Sequence, residues 1–335
     1  MNRFTFVDCT TVAEALDHLK QGSVAKAGGI DLLDLMKDGI VSPSTLVNIR
    51  RVKELHGIET SEQGLSLGPL TTLSELAAHP LIQKTYTALS DAASHAATPQ
   101  IRNMATVGGN LMQRQRCWYF RSSEYNCLRK GGSECFAQKG ENQYHAIMDN
   151  EICAMVHPSS TAVPLMAFGA QVELTSKKGK RTVPLNEFYI RPEESLLDET
   201  VVKSDELITR ILVPAPAAGT RSAYQKYGEK ESFDWPLADA GVVLVMNGNI
   251  CRSASIVMGV AAPTPLHAKA AEVILAGKTI DEATARAAGK AAVDSATPLE
   301  QNGYKVQLFH TVVYRTILLA SGQLKRDPSA VGGMA

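Results

Sequence analysis

The chain reads as an α+β protein with more than one domain. Three features predict this. Helix-start signals alternate with short apolar runs over the first two thirds, the final third changes to long strands followed by helices, and a proline–alanine–glycine joint lies between the two styles. A length of 335 residues leaves room for two or three such units.

Taken in order, the elements are legible from local signals. Thr-x-x-Glu occurs at Thr11 to Glu14, Thr72 to Glu75 and Thr279 to Glu282. In such a capping box the threonine and glutamate side chains satisfy the free N–H groups that open a helix. After the first box, Val12, Ala15, Leu16 and Leu19 fall on one helical face. The segment VAKAGGIDLLDLM (24–36) reads as a short strand, a Gly-Gly turn and a helix start. TLVNI (45–49), LSLG (65–68), AQVELTS (170–176) and ELITRILVP (206–214) read as strands.

VPAPAAG (213–219) is the joint. Beyond it RSAYQKYG, DAGVVLVM and ICRSASIVMGV read as antiparallel strands. TPLHAKAAEVILAG, DEATARAAGKAAVD and YKVQLFHTVVYRTILLASG read as helices that cover them. The end of the chain, KRDPSAVGGMA, is expected to be loose, and residues 328–335 are set aside as a tail.

Composition excludes some functions. Lys+Arg and Asp+Glu are both 34, so no overall field draws the chain to nucleic acid or to a charged membrane. The first residues lack the apolar core of a secretory signal, and no apolar run is long enough to span a bilayer. The default expectation is the cytoplasm, with export to the periplasm on a partner's signal as the other route. In the cytoplasm, clustered cysteines more often bind metal or do redox work than form disulfides.

Two glycine loops are candidates for holding a ligand. Paired glycines admit positive φ and let backbone N–H groups approach a ligand, and a following helix start adds unpaired donors suited to a pyrophosphate. The first loop is in 24–36. The second, MATVGGNLM (104–112), repeats the device, with Thr106 and Asn110 expected to supply side-chain donors. Neither is GxGxxG, so a Rossmann dinucleotide fold is not indicated. Alone, each pair reads more often as a tight turn between packed elements.

Four of the six cysteines crowd into one stretch, as C-x9-C-x7-C-x17-C: Cys117, Cys127, Cys135 and Cys153. Four thiolates suit a [4Fe–4S] cluster and equally a structural zinc, and the spacing does not decide between them. Cys9 and Cys251 each stand alone and read as buried thiols. Arg114, Arg116, Arg121, Arg129 and Lys130 make the stretch locally basic. Such a patch can offset a cluster's charge, dock an acidic partner, or be a solvated face.

The order AGGIDL, IRNMATVGGNL and YQKYGEKESFDWPLADAGVVL (224–244) closely resembles the flavin-binding medium subunits of the molybdenum hydroxylases, the xanthine dehydrogenase family. The resemblance covers essentially the whole chain. It implies a vanillyl-alcohol-oxidase (PCMH-type) FAD domain of two lobes, 1–55 and 56–218, followed by a small C-terminal α+β domain, 219–327. FAD would be held without a covalent link. Ala25, Lys26, Ala27, Gly28, Gly29, Ile30, Asp31 and Leu32 would wrap its pyrophosphate through backbone amides. Thr106, Gly108, Gly109 and Asn110 would form the facing loop. Where relatives place an acidic residue after the second loop, the matching position is Ser160; Lys226 and Lys230 match a basic position near the flavin, or are solvated surface charge.

Plain members run from VGGN almost directly to the segment seen here at 158–162, so residues 113–157 look like an insertion. It resembles the extra loop of bacterial aldehyde oxidoreductases and 4-hydroxybenzoyl-CoA reductase, whose medium subunits carry a [4Fe–4S] cluster there. CWYF and HAIMDNEIC look closest to the aldehyde oxidoreductase type. The resemblance therefore implies Cys117, Cys127, Cys135 and Cys153 as metal ligands, with His145 and His157 as surface groups or groups just behind them.

No catalytic acid or base is implied: the chain would be an electron-transfer subunit. Its partners would be a molybdenum cofactor-binding large subunit, a [2Fe–2S] small subunit and an external acceptor (quinone, ferredoxin, oxygen or nicotinamide). A hydroxybenzoyl-CoA reductase or xanthine dehydrogenase-like enzyme is the alternative within the family. A non-catalytic subunit stapled by zinc is the alternative outside it.

Overall fold

The computed structural model describes residues 1–230 and 233–325. The tail expected to be loose lies, from residue 326 onward, outside the described residues. Three sheets follow one another along the chain.

The first sheet comes from β1 (Thr5–Asp8), α1 (Val12–His18), β2 (Ser23–Lys26), α2 (Ile30–Lys37) and β3 (Thr45–Asn48). Its order is β1-β3-β2 and both pairings are parallel. Parallel neighbours need a crossover, and the two short helices supply it. Thr11 caps α1 by accepting from the Glu14 N–H, while the Glu14 carboxylate turns back to Thr10.

The second unit opens with β4 (Ile58–Ser61) and β5 (Gly64–Leu67). Helices α3 (Leu73–Ala78), α4 (Pro80–Thr85), α5 (Thr87–Ser94), α6 (Pro99–Arg102), α7 (Val107–Leu111) and α8 (Trp118–Arg121) follow, then α9 (Ala162–Ala167). Strands β6 (Gln171–Ser176), β7 (Gly179–Pro184) and β8 (Leu207–Pro214) complete an antiparallel sheet of order β4-β5-β8-β6-β7. Thr72 and Glu75 form the full reciprocal capping box of α3. Between α7 and α9 the chain has almost no regular structure beyond single turns, and the four clustered cysteines lie there.

The third unit is an antiparallel sheet, β12-β11-β10-β9, made of β9 (Thr220–Tyr227), β10 (Ala238–Asn247), β11 (Ile250–Met258) and β12 (Leu266–His267). Helices α10 (Lys269–Leu275), α11 (Glu282–Ala291) and α12 (Tyr304–Ser321) pack on it. On α12, Phe309, Val312, Val313, Thr316, Ile317 and Ala320 are buried, at the spacing that puts them on one stripe. Each large apolar side chain so covered stabilises the fold by roughly 1.5–3 kcal/mol. Gly322, at φ 85°, ends the helix, and its N–H reaches back to Leu318 and Leu319.

β10 is buried on both faces because helices cover one and α9 meets the other. A side chain at Gly241 would press on Val163 and Pro164. Cys251 lies inside this third core and Cys9 inside the first.

The third capping box is a correction. Asp281, not Thr279, caps α11, and its carboxylate accepts from the Thr284 N–H at 2.7 Å. Thr279 is instead held in an isolated β-bridge with Ile250. The helix therefore starts two residues later, at the stronger cap.

Candidate functional site

The two glycine loops meet. A Cβ on Gly28 would run into the Met104 carbonyl oxygen, so glycine is required where the first loop crosses the second. Gly29 takes φ 82° and caps α2. Among the described residues, the N–H groups of Gly28, Gly29, Ile30, Asp31 and Leu32 find no protein acceptor. Five donors are thus left at the start of a two-turn helix, where the dipole also favours an anion.

The second loop differs. Val107 N–H donates to Thr71, Gly108 to Pro69, Asn110 to the Thr106 carbonyl and Gly109 to Thr106 Oγ1. Thr106 and Asn110 were expected to donate to a ligand, and here they accept from the protein. Thr106 Oγ1 caps α7, and Asn110 Oδ1 receives Ser159 Oγ at 2.7 Å, Thr161 Oγ1 at 2.6 Å and the Thr161 N–H at 3.2 Å. Asn110 thereby fixes the chain around Ser160, which is itself buried.

The remaining first-loop side chains are also engaged. Lys26 Nζ reaches Asn48 Oδ1 at 3.5 Å; burial, then the Arg50 charge, lower its pKa. Asp31 is the anchor of the inserted segment. Its carboxylate accepts the Arg114 N–H at 2.8 Å, Arg121 Nη2 at 2.8 Å and Arg116 Nη1. Burial alone would raise the Asp31 carboxyl, but the two guanidinium groups and the N–H outweigh it and hold it below the usual value.

Helix α2 carries the connection further. Leu35, six residues past Gly29 and so about 9 Å along the axis, packs in one cluster with Phe120, Cys117 and Cys127.

The four inserted cysteines, 117, 127, 135 and 153, line one narrow cavity, together with Gln115, Arg129, Met155 and others. Three of them occupy the same local position. Cys117 precedes α8, Cys127 precedes a single 3₁₀ turn over Leu128–Lys130, and Cys135 precedes another over Phe136–Gln138. Burial pushes the Cys117 thiol up to about 12, against the opposing pull of the Phe120 and Tyr119 N–H groups. Burial likewise raises Cys127, opposed by the Arg129 and Lys130 backbone and the Lys130 charge. Cys135 and Cys153 share a hydrogen bond that holds Cys153 protonated and lowers Cys135.

Among the described residues, no three His, Cys, Asp or Glu side chains form a group able to hold a metal ion. The four thiols border a common space.

Three donor atoms on two residues at this cavity have no acceptor: Gln115 Nε2 and the Nε and Nη2 of Arg129. Both residues are buried, at 1% and 3% exposure. The histidines are not surface groups. His145 is buried with Nε2 3.2 Å from Cys117 Sγ, and burial followed by the Lys305 charge lowers it to about 4. His157 is equally buried but packs on Tyr189, and burial lowers it to about 3.

The basic residues of the insertion are not a solvated face. Arg116 and Arg121 are spent on Asp31, Arg114 on Glu199 at 2.7 Å, and Lys130 on the Ser122 carbonyl. Lys226 is partly buried and donates to the Asp234 carbonyl at 3.0 Å, whereas Lys230 is exposed.

The second half of the insertion is tied to the third unit. Fully buried Lys305 donates to the carbonyls of His145 at 2.9 Å and Val260 at 3.0 Å, and burial lowers its pKa to about 7. Asn302 Nδ2 adds donations to the His145 and Ala146 carbonyls.

The Asp31 side chain, Gln115 and Lys305 were missed as site-forming residues. The one signal available was a run of inserted arginines with few local acids.

Comparison with known proteins agrees with this geometry. Residues 2–216 match the FAD binding domain in molybdopterin dehydrogenase, and residues 222–320 match the CO dehydrogenase flavoprotein C-terminal domain. The chain is 33% identical over 314 residues to the aldehyde oxidoreductase FAD-binding subunit PaoB of Escherichia coli, covering 92% of this chain and 95% of that one. It is 30% identical over 301 residues to the carbon monoxide dehydrogenase medium chain of Hydrogenophaga pseudoflava, covering 89% and 88%. A solved carbon monoxide dehydrogenase from Hydrogenophaga pseudoflava superposes with a TM-score of 0.75 at 28% identity, over 97% of this chain and 99% of the other. No helix among the described residues is long and apolar enough to cross a membrane.

Proposed function

The chain belongs to the FAD-binding medium subunits of the molybdenum hydroxylase family, and on that premise we propose that it is the FAD and [4Fe–4S] electron-transfer subunit of an aldehyde oxidoreductase-type enzyme. Its partners are a molybdenum cofactor-binding large subunit, a [2Fe–2S] small subunit and an external electron acceptor. Residues 1–218 hold the flavin, with residues 113–157 as the cluster-bearing insertion, and residues 219–327 form the third domain.

The fit of the flavin rests on the five free N–H groups of Gly28 to Leu32 beside a crossing that only glycine permits. They would bind the pyrophosphate, with Lys26 and the second loop as the wall behind it. Ser160, Lys226 and Lys230 belong to the same proposed site by their matching positions alone.

The cavity lined by Cys117, Cys127, Cys135 and Cys153 is the observation that carries the cluster. Four cysteines around one cavity are the ligand set that a [4Fe–4S] core takes, and the likeness of the inserted loop to the aldehyde oxidoreductase type favours it over a structural zinc, for which four thiolates would also suffice. The buried free donors of Gln115 and Arg129 supply what the sulfides of such a core accept. When bound, the flavin exchanges electrons singly or in pairs and the cluster exchanges them singly. Helix α2 would link the residues that hold them, with its start at the flavin loop and its Leu35 packed with Cys117 and Cys127.

The test is metal, sulfide and flavin content of the purified chain, with absorption spectra before and after dithionite. About four irons and one FAD per chain, with a broad band that bleaches on reduction, are expected. One zinc with no flavin overturns the reading.

A further inference from the structure

The insertion carries six lysines and arginines; Lys139 is exposed, and four of the other five have their charge or donors engaged locally, although Arg116 Nε is left without a partner. Arg116 and Arg121 face the Asp31 carboxylate, Arg114 faces Glu199, and Lys130 caps the Ser122 carbonyl. Arg129 is different. It is 3% exposed, and its Nη1 alone is bonded, to the carbonyls of Ser195 at 3.2 Å, Leu196 at 3.4 Å and Asp198 at 3.1 Å. These neutral acceptors orient the guanidinium without cancelling its charge. Nε and Nη2 remain without a partner, and the residue lines the cysteine cavity.

A buried, uncompensated cation with two free donors is costly unless something anionic stands beside it. The four-thiolate cluster is the anionic group that this cavity would take.

We propose that Arg129 is the residue that sets the reduction potential of the cluster, by placing a fixed positive charge and two N–H donors against it. This rests on the cluster reading above. A fixed positive charge favours the more negative, reduced state, so Arg129 raises the potential. The step is a one-electron reduction, with dithionite as the donor in the experiment and the cluster as the acceptor. Arg129 gains and loses no proton or electron; it is a positioning residue.

The experiment is an anaerobic potentiometric titration of the purified chain followed by electron paramagnetic resonance, with iron and sulfide counted in every sample. R129Q keeps a donor and loses the charge, R129K keeps the charge, and R114Q removes a cation already paired with Glu199. For R129Q, the ratio of reduced to oxidised cluster at fixed potential is expected to fall about tenfold, which is about 59 mV for one electron. R129K and R114Q are expected to stay near the wild type.

A full complement of iron with an unshifted potential in R129Q overturns the proposal, as does an equal fall in R114Q. If R129Q fails to assemble, R129K decides: normal iron and potential support the proposal, and a tenfold fall overturns it. Loss of iron from both, with flavin retained, makes Arg129 a structural strut and also overturns it. Absence of iron from the wild type is a separate result, which removes the cluster reading itself.

Discussion

The two glycine loops carry the same pair of glycines and the same helix start, yet the structure uses them in opposite ways. In the first, five consecutive N–H groups from Gly28 to Leu32 are unspent. In the second, the N–H groups of Val107, Gly108, Gly109 and Asn110 all have protein acceptors. A glycine pair therefore marks close backbone approach, and only the fate of its amides separates a ligand cradle from a brace. Here the brace positions the cradle, because Met104 of the second loop fills the place a side chain at Gly28 would need.

Breaking the crossing has the largest expected effect. Gly28→Ala should abolish flavin retention and destabilise the chain by at least about 4 kcal/mol, because backbone on both loops has to move. Flavin content and a denaturant midpoint measure both, and a yellow, stable G28A protein would break the comparison.

Next comes the tie between the cradle and the insertion. Asp31→Asn removes the carboxylate that holds Arg116 and Arg121 and should cost about 3 kcal/mol. Its backbone N–H remains, so flavin stoichiometry should persist while iron is lost more easily. The pH dependence has a definite sign. The Asp31 pKa is lowered on folding, so its contribution is complete above the unfolded value of about 4 and fades as pH falls through the lower folded value. The gap in melting temperature between wild type and D31N should stay constant from about pH 8 to 5 and narrow in more acid solution. A gap independent of pH throughout would show that the lost charge is not its cause.

The brace is probed by Asn110→Ala, which strands three donors from Ser159 and Thr161. A loss of about 2 kcal/mol is expected, with flavin still bound in the stable fraction. Selective loss of flavin at unchanged stability would instead make Asn110 a ligand contact.

The smallest change is Gly109→Ala. Its Cβ would meet only Thr106 Oγ1, at 3.1 Å, within helix α7. Stability within about 1 kcal/mol of wild type and normal flavin content are expected. Set beside G28A, this pair of variants measures directly how differently the two loops use glycine.

Elements were legible wherever the signal is local. The Thr72–Glu75 box, the stripe of α12 and the antiparallel strands after the joint all depend on residues within a few positions of each other. The third box failed for the same reason. Thr279 and Asp281 both suit a cap, and the bridge from Thr279 to Ile250, across 29 positions, decided which one served. In the site, the glycine loops and the cysteines were visible as residue types. Which amides remained free was not, because the acceptors of the second loop, Pro69 and Thr71, lie well outside its motif.

The sequence by itself determined the family, the order of the three units and the crowding of four cysteines into one inserted stretch, since order and spacing are properties of the chain. Only the tertiary structure decided that Asp31 is clamped by arginines 85 and 90 residues away. It likewise decided that Lys305 is buried against His145 across 160 positions and that Arg129 lines the cysteine cavity with two donors left free. Burial and charge compensation depend on which distant groups meet, and that is settled by packing, not by local pattern.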